Sequence, residues 1–156
     1  MNTIKNLAYE LTYHSYVLNK AKKLSLFRDI SMREYIALHK ISEMNSEGKI
    51  YLRELAANMQ LSISQASRLV AILQDKGFIV WAHDGIGEEG TYIMITENGS
   101  DTICKQEQNL KQYYARVIEK FGEERLIALF NEMRDFEDIL NEEILAWEDT
   151  DDTNDE

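Results

Sequence analysis

The sequence has no proline in 156 residues. Proline breaks a helix by removing a backbone donor and clashing with the preceding turn, so its absence predicts long uninterrupted helices punctuated by caps and glycine. A single cysteine, Cys104, excludes an internal disulfide and agrees with a reducing compartment. On the long helix where it falls, Cys104 is expected to pack as a small apolar side chain. No apolar run reaches the length of a signal-peptide core or a membrane span, and Met1 to Asn6 are polar. The chain is therefore expected to be soluble and cytoplasmic, with no membrane partner. Catalytic signatures are missing as well: there is no HExxH, CxxC, phosphate loop or nucleophile elbow, and His14, His39 and His83 lie far apart. Neither enzymatic activity, a metal nor a cofactor is expected.

Positive charge is scarce, with 17 Lys and Arg against 28 Asp and Glu and a net charge of −11. As an average this opposes nucleic-acid binding, because Lys and Arg neutralising phosphates supply most of that affinity. The average hides a division. Residues 1–76 hold eleven of the basic and seven of the acidic residues, a net of +4, whereas the remaining eighty hold six and 21, a net of −15. Residues 148–156, with no apolar side chain among them, are expected to form a disordered acidic tail.

Helical spacing of Ile4, Leu7, Leu11, Leu18 and Ala21 predicts an amphipathic helix from about Thr3 to Leu24. Ser31-Met32-Arg33-Glu34 has the form of a capping box, and a second helix should follow to about Met44, burying Tyr35, Leu38 and Ile41. Lys49-Ile50-Tyr51 is long enough for one rung of sheet, and Leu52 to Met59 predict a compact third helix. Ser62-Ile63-Ser64-Gln65 repeats the capping-box pattern, Ala66, Leu69, Val70 and Leu73 form one apolar stripe, and Lys76-Gly77 supplies a stop. Two such helices joined by about three residues make a helix-turn-helix.

Phe78 to Ala82 and Thr91 to Ile95 are rich in β-branched and aromatic residues, with three glycines in the eight residues between them. They predict a hairpin, the wing of a winged helix. Two further helices, Glu97 to Phe121 and Glu123 to Trp147, are separated by Gly122. Their apolar positions, Ile103, Leu110, Tyr113, Val117 and Phe121 on the first and Leu126, Leu129, Met133, Phe136, Leu140, Ile144 and Trp147 on the second, exceed what a small helix-turn-helix core can cover. Stripes of that size mark an interface, and a two-fold dimer built from the terminal helices is expected. The fold class is thus mainly α with a small β-hairpin: a winged helix-turn-helix over 31–96, flanked by dimerisation helices at 1–30 and 97–147 and by the tail at 148–156.

Leu55-Ala56, Leu61-Ser62, Ser64, Ser67-Arg68-Leu69-Val70, Leu73, Gly77 and Thr96-Glu97-Asn98-Gly99, in this order of elements, resemble the MarR family of transcription regulators over nearly the whole chain. The resemblance implies a homodimeric DNA-binding regulator, of repressor type, on a pseudo-palindromic double-stranded operator. Its helix 62–76 would enter the major groove and its wing the minor groove, with a small-molecule effector between the dimer and DNA-binding parts. It places Ser62, Ser64, Gln65, Ser67 and Arg68 against DNA. Glutamine can pair with an adenine edge, serine can meet base or phosphate, and arginine can take a guanine edge or a phosphate. The plainer alternative makes Ser62 and Gln65 only a cap and Arg68 only a solvated charge. Lys49, Arg53 and Lys76 are candidate phosphate contacts. Tyr13, Tyr16, Tyr35 and Tyr113 are candidates for an effector pocket, with dimer and core packing as the competing role.

The wing departs from the family pattern. Where such regulators carry an arginine pair, this chain has Glu88-Glu89, and Ala71 stands where an aspartate commonly holds a wing arginine. Carboxylates oppose the negative potential of a minor groove. Three outcomes stay open: a wing held away from DNA, a wing that binds a cation or basic protein, or an interaction module that kept the fold and lost ordinary DNA binding.

Overall fold

In the computed structural model, residues 3–21, 26–83 and 90–151 are described, with side chains over 7–19, 26–83 and 90–144. The described elements are, in order, α1 (Thr3–Ala21), α2 (Met32–Glu47), α3 (Leu52–Asn58), α4 (Ile63–Asp75), β1 (Ile79–His83), β2 (Thr91–Ile95), α5 (Glu97–Phe121) and α6 (Glu123–Asp151).

Both expected capping boxes form. The Ser31 hydroxyl accepts from the Glu34 amide at 3.2 Å while Glu34 accepts from the Ser31 amide at 2.9 Å. Ser62 and Gln65 make the same exchange at 3.1 Å each way. At α3 only the returning arm is built, with the Glu54 carboxylate accepting from the Tyr51 amide at 3.1 Å.

α2 runs to Glu47, three residues beyond the expected end. Asn45, just past the expected end, holds the helix to the hairpin: its amide donates to the Ile93 carbonyl at 3.0 Å and accepts from the Ile95 amide at 2.9 Å, clamping α2 to β2. The turn between α3 and α4 passes through Gln60, whose φ of 53° is left-handed. The Leu61 amide then reaches back to the Ala56 carbonyl at 2.9 Å, a helix closure that a glycine or asparagine usually makes. α4 closes in the expected way. Gly77 takes φ 74°, and the Phe78 amide donates to the Leu73 carbonyl at 2.9 Å.

β1 and β2 pair antiparallel in the register Ile79↔Ile95, Trp81↔Ile93 and His83↔Thr91. Ile50 adds the single expected rung, opposite Ile93. The expectations for Glu88 and Glu89 concern residues 84–89, which lie outside the described residues.

The core includes Leu38 and Ile41 of α2, Ile50, Leu55 of α3, Val70 and Leu73 of α4, Ile79 and Ile93 of the hairpin, and Ile103 of α5. Each such aliphatic burial contributes about 1.5 to 3 kcal/mol. Tyr35, expected to be buried, is half-buried at the edge of this cluster. The start of α5 is sewn to the end of α4. The Thr96 hydroxyl donates to the Gly77 carbonyl at 2.7 Å and accepts from the Gly99 amide at 3.1 Å. A Cβ at Gly99 would sit on the Phe78 carbonyl, so only glycine permits this approach. Further along α5, the buried Gln106 amide donates to the Leu26 carbonyl at 3.0 Å.

Residues 1–110 form one compact unit and 111–156 a second. In the second, Gly122 with φ 96° separates the end of α5 from α6. α6 runs through Asp151, so the first four residues of the expected tail, 148–151, are helical. No proline or glycine stands there to stop the helix. Cys104, expected to pack, is exposed. Exposed too are Leu7, Leu11 and Leu18 of α1, Tyr113 and Val117 of α5, and Leu129, Met133, Phe136, Leu140 and Ile144 of α6. Among the described residues, no helix is long and apolar enough to cross a membrane.

Candidate nucleic-acid interface

The 3.6-residue period sorts α4 into two faces. Ala66, Leu69, Val70 and Leu73 point into the core, each at most 4% exposed. Ser64, Gln65, Ser67 and Arg68 are exposed, with Ser62 exposed at the N-cap. The five residues that the sequence nominated therefore share one solvent-facing surface. Cap and surface roles coexist in them: Ser62 and Gln65 close the capping box, and a glutamine amide keeps N–H donors beyond the oxygen that the cap uses. Arg68 leans along the helix, donating from Nη2 to the Ser64 hydroxyl at 3.3 Å.

The three nominated phosphate contacts stand differently. Arg53 is exposed on α3. Lys49 lies over the Tyr92 ring at 4.9 Å. Lys76 is held by Glu34 at 2.8 Å and reaches the Asp29 carbonyl at 3.5 Å. Glu34 is thus shared between the α2 cap and the end of α4. Burial acts to raise its pKa, but the hydrogen bond and charge of Lys76, with the Ser31 amide and hydroxyl, outweigh burial and hold the carboxyl below its ordinary value.

Arg33 carried no signal in the sequence, being the unremarked third residue of a capping box. In the fold it lines an open hollow of about 320 Å³ between the start of α2 and α4, shared with Gln65 and Arg68. Its nomination depends on tertiary placement alone.

The four nominated tyrosines do not share one described contact. Tyr13 and Tyr16 are exposed along α1, and Tyr13 stacks on Tyr9. Tyr113 is exposed in the 111–156 unit, edge-on to Tyr114 at 4.9 Å. Tyr35 packs between Phe27 and His39, each 5.9 Å away, and lines a hollow of about 230 Å³ with Ile36, Lys40 and Glu43. Burial, then the Glu107 carboxylate, pushes the Tyr35 hydroxyl above its ordinary pKa. Among the described residues, no group of His, Cys, Asp and Glu could hold a metal ion.

No protein-family model matches the sequence, and no curated protein does. Solved structures do. A MarR-family protein from Bacillus stearothermophilus is similar over 90% of this chain and 99% of its own, with 23% identity and a TM-score of 0.64. A mutant MarR from E. coli complexed with operator DNA covers 84% of this chain and 96% of its own, at 15% identity and a TM-score of 0.68. MepR of S. aureus in a DNA complex covers 85% and 95%, at 17% identity and a TM-score of 0.65. At such identities the likeness is one of architecture, and the chain has the winged-helix fold of the MarR-family structures.

Proposed function

We propose that the chain is a homodimeric, DNA-binding transcription regulator of MarR type that sets α4 of each protomer in a major groove of a pseudo-palindromic duplex. One observation carries this reading: α4 buries its apolar stripe and leaves Ser64, Gln65, Ser67 and Arg68 together in solvent. Two of the similar structures are described as complexes with DNA. The exposed apolar residues of α1, α5 and α6 support a second copy as partner, because contiguous apolar surface left in water is a liability that association removes. A small-molecule effector completes the reading, with the Tyr35 hollow as its starting point.

Selection of genomic fragments with the purified protein tests the function. Enrichment of a two-fold-related sequence is expected, and Arg68→Ala should weaken binding to it by about 1 to 3 kcal/mol. No enrichment at low salt would remove the regulator reading.

Glu88-Glu89 in the wing favours a second reading, a dimeric interaction module that has lost ordinary DNA binding. The double variant Glu88→Arg with Glu89→Arg separates the two. For a regulator it should tighten DNA binding and steepen its salt dependence; for a module it leaves the wild-type failure to bind any operator in place.

A further inference from the structure

We infer that the hollow between the start of α2 and α4 seats a backbone phosphate at the edge of the groove, with Arg33 and Arg68 as its two cationic walls. The inference rests on the DNA reading and divides the labour within it. Residues 64, 67 and 71 form one exposed ridge of α4 outside the hollow, whereas Gln65, Arg68 and Ile72 lie on the side that lines it. Phosphates border a groove and base edges floor it. The ridge is thus placed for the floor, and the α2 side for the border. Arg68 belongs to the border, although its residue type alone permits either contact.

Charge agrees with that assignment. Two guanidinium groups line the hollow, and Glu34 is the single acid in its lining. The Glu34 carboxylate is already matched by Lys76 at 2.8 Å and by the Ser31 amide at 2.9 Å, so Arg33 and Arg68 keep their charge for an outside anion. A guanidinium offers planar paired donors suited to a phosphodiester. The Ser64 hydroxyl occupies only one nitrogen of Arg68. Leu69 and Ile72 complete the α4 side of the lining beside Gln65 and Arg68.

The test is fluorescence anisotropy of the purified protein over a salt series with two duplexes: the fragment recovered by genomic selection and a mixed-sequence duplex of equal length. Arg33→Ala and Arg68→Ala should each weaken both duplexes by the same factor, roughly tenfold, and lower the slope of log K against log salt, and the double variant should lower it by about 1.8, because a dimer that has lost both walls neutralises two fewer phosphates. Arg33→Lys should keep the slope, since it keeps the charge, and far-UV circular dichroism should match wild type for each variant. Unchanged affinity and slope in Arg33→Ala would overturn the clamp and leave the DNA reading standing. So would a loss in Arg68→Ala confined to the recovered fragment, because Arg68 would then read a base. Failure of the wild-type protein to bind either duplex would overturn the DNA reading, and the clamp with it.

Discussion

The winged-helix core and the helix α6 contain similar apolar side chains and treat them in opposite ways. In the core, Leu38, Ile41, Leu55, Val70 and Leu73 are sealed completely; on α6, Leu129, Met133, Phe136, Leu140 and Ile144 are each well exposed. The core is satisfied within one chain, as its fully sealed aliphatics show. α6 has the same hydrophobic material, at a spacing that leaves a continuous stripe exposed, which under the proposed dimer a second chain would cover. On that proposal one region is specified by packing and the other by association.

The largest expected effect comes from the sealed side of that contrast. Leu38→Ala removes a fully buried side chain and should cost about 2 to 5 kcal/mol in urea denaturation. A cost below about 1 kcal/mol would mean that the core around Leu38 is not closed. On the other side, Met133→Glu with Phe136→Glu should leave the far-UV spectrum of dilute protein intact. It should also raise the dimer dissociation constant at least a hundredfold in sedimentation equilibrium, as about 2.7 kcal/mol of lost association implies. A variant that stays dimeric would place the interface elsewhere. If α6 is covered by a second copy, wild-type melting must also depend on protein concentration.

Smaller effects test the device that joins α2 to α4. Ser62→Ala removes an N-cap and should cost roughly 1 kcal/mol, measured by thermal denaturation. Glu34→Gln should cost less than about 1 kcal/mol, because Lys76 is partly exposed and its pair is screened. Because the Glu34 pKa is lowered in the folded state, its contribution is complete above the ordinary glutamate value and is lost as the pH falls through the folded one. The stability difference between wild type and Glu34→Gln should therefore shrink on acidification. A difference that grows in acid would contradict the pairing.

Local devices were legible in the sequence. The boxes at Ser31–Glu34 and Ser62–Gln65, the stop at Lys76-Gly77 and the stripe from Ala66 to Leu73 each depend on residues within one or two turns, and all appear in place. What escaped was long-range. Asn45 falls just past the expected end of α2, and β2, about fifty residues on, supplies the partners that let the helix continue. Lys76 looks like a solvated cation until Glu34 holds it. Arg33 is indistinguishable from any surface arginine until the fold sets it beside Arg68. Gln60 takes the left-handed position that glycine usually marks, so the turn of the helix-turn-helix was bounded in the sequence by the Ser62 box rather than by a glycine.

Hydroxyl-radical footprinting of the recovered genomic fragment tests the central claim most directly, because it joins the exposed face of α4 to the uncovered stripe of α6. Two equivalent protected tracts, centred about 34 Å apart along the duplex, are expected from two recognition helices held by one dimer. Uniform cleavage, or one tract alone, would contradict it.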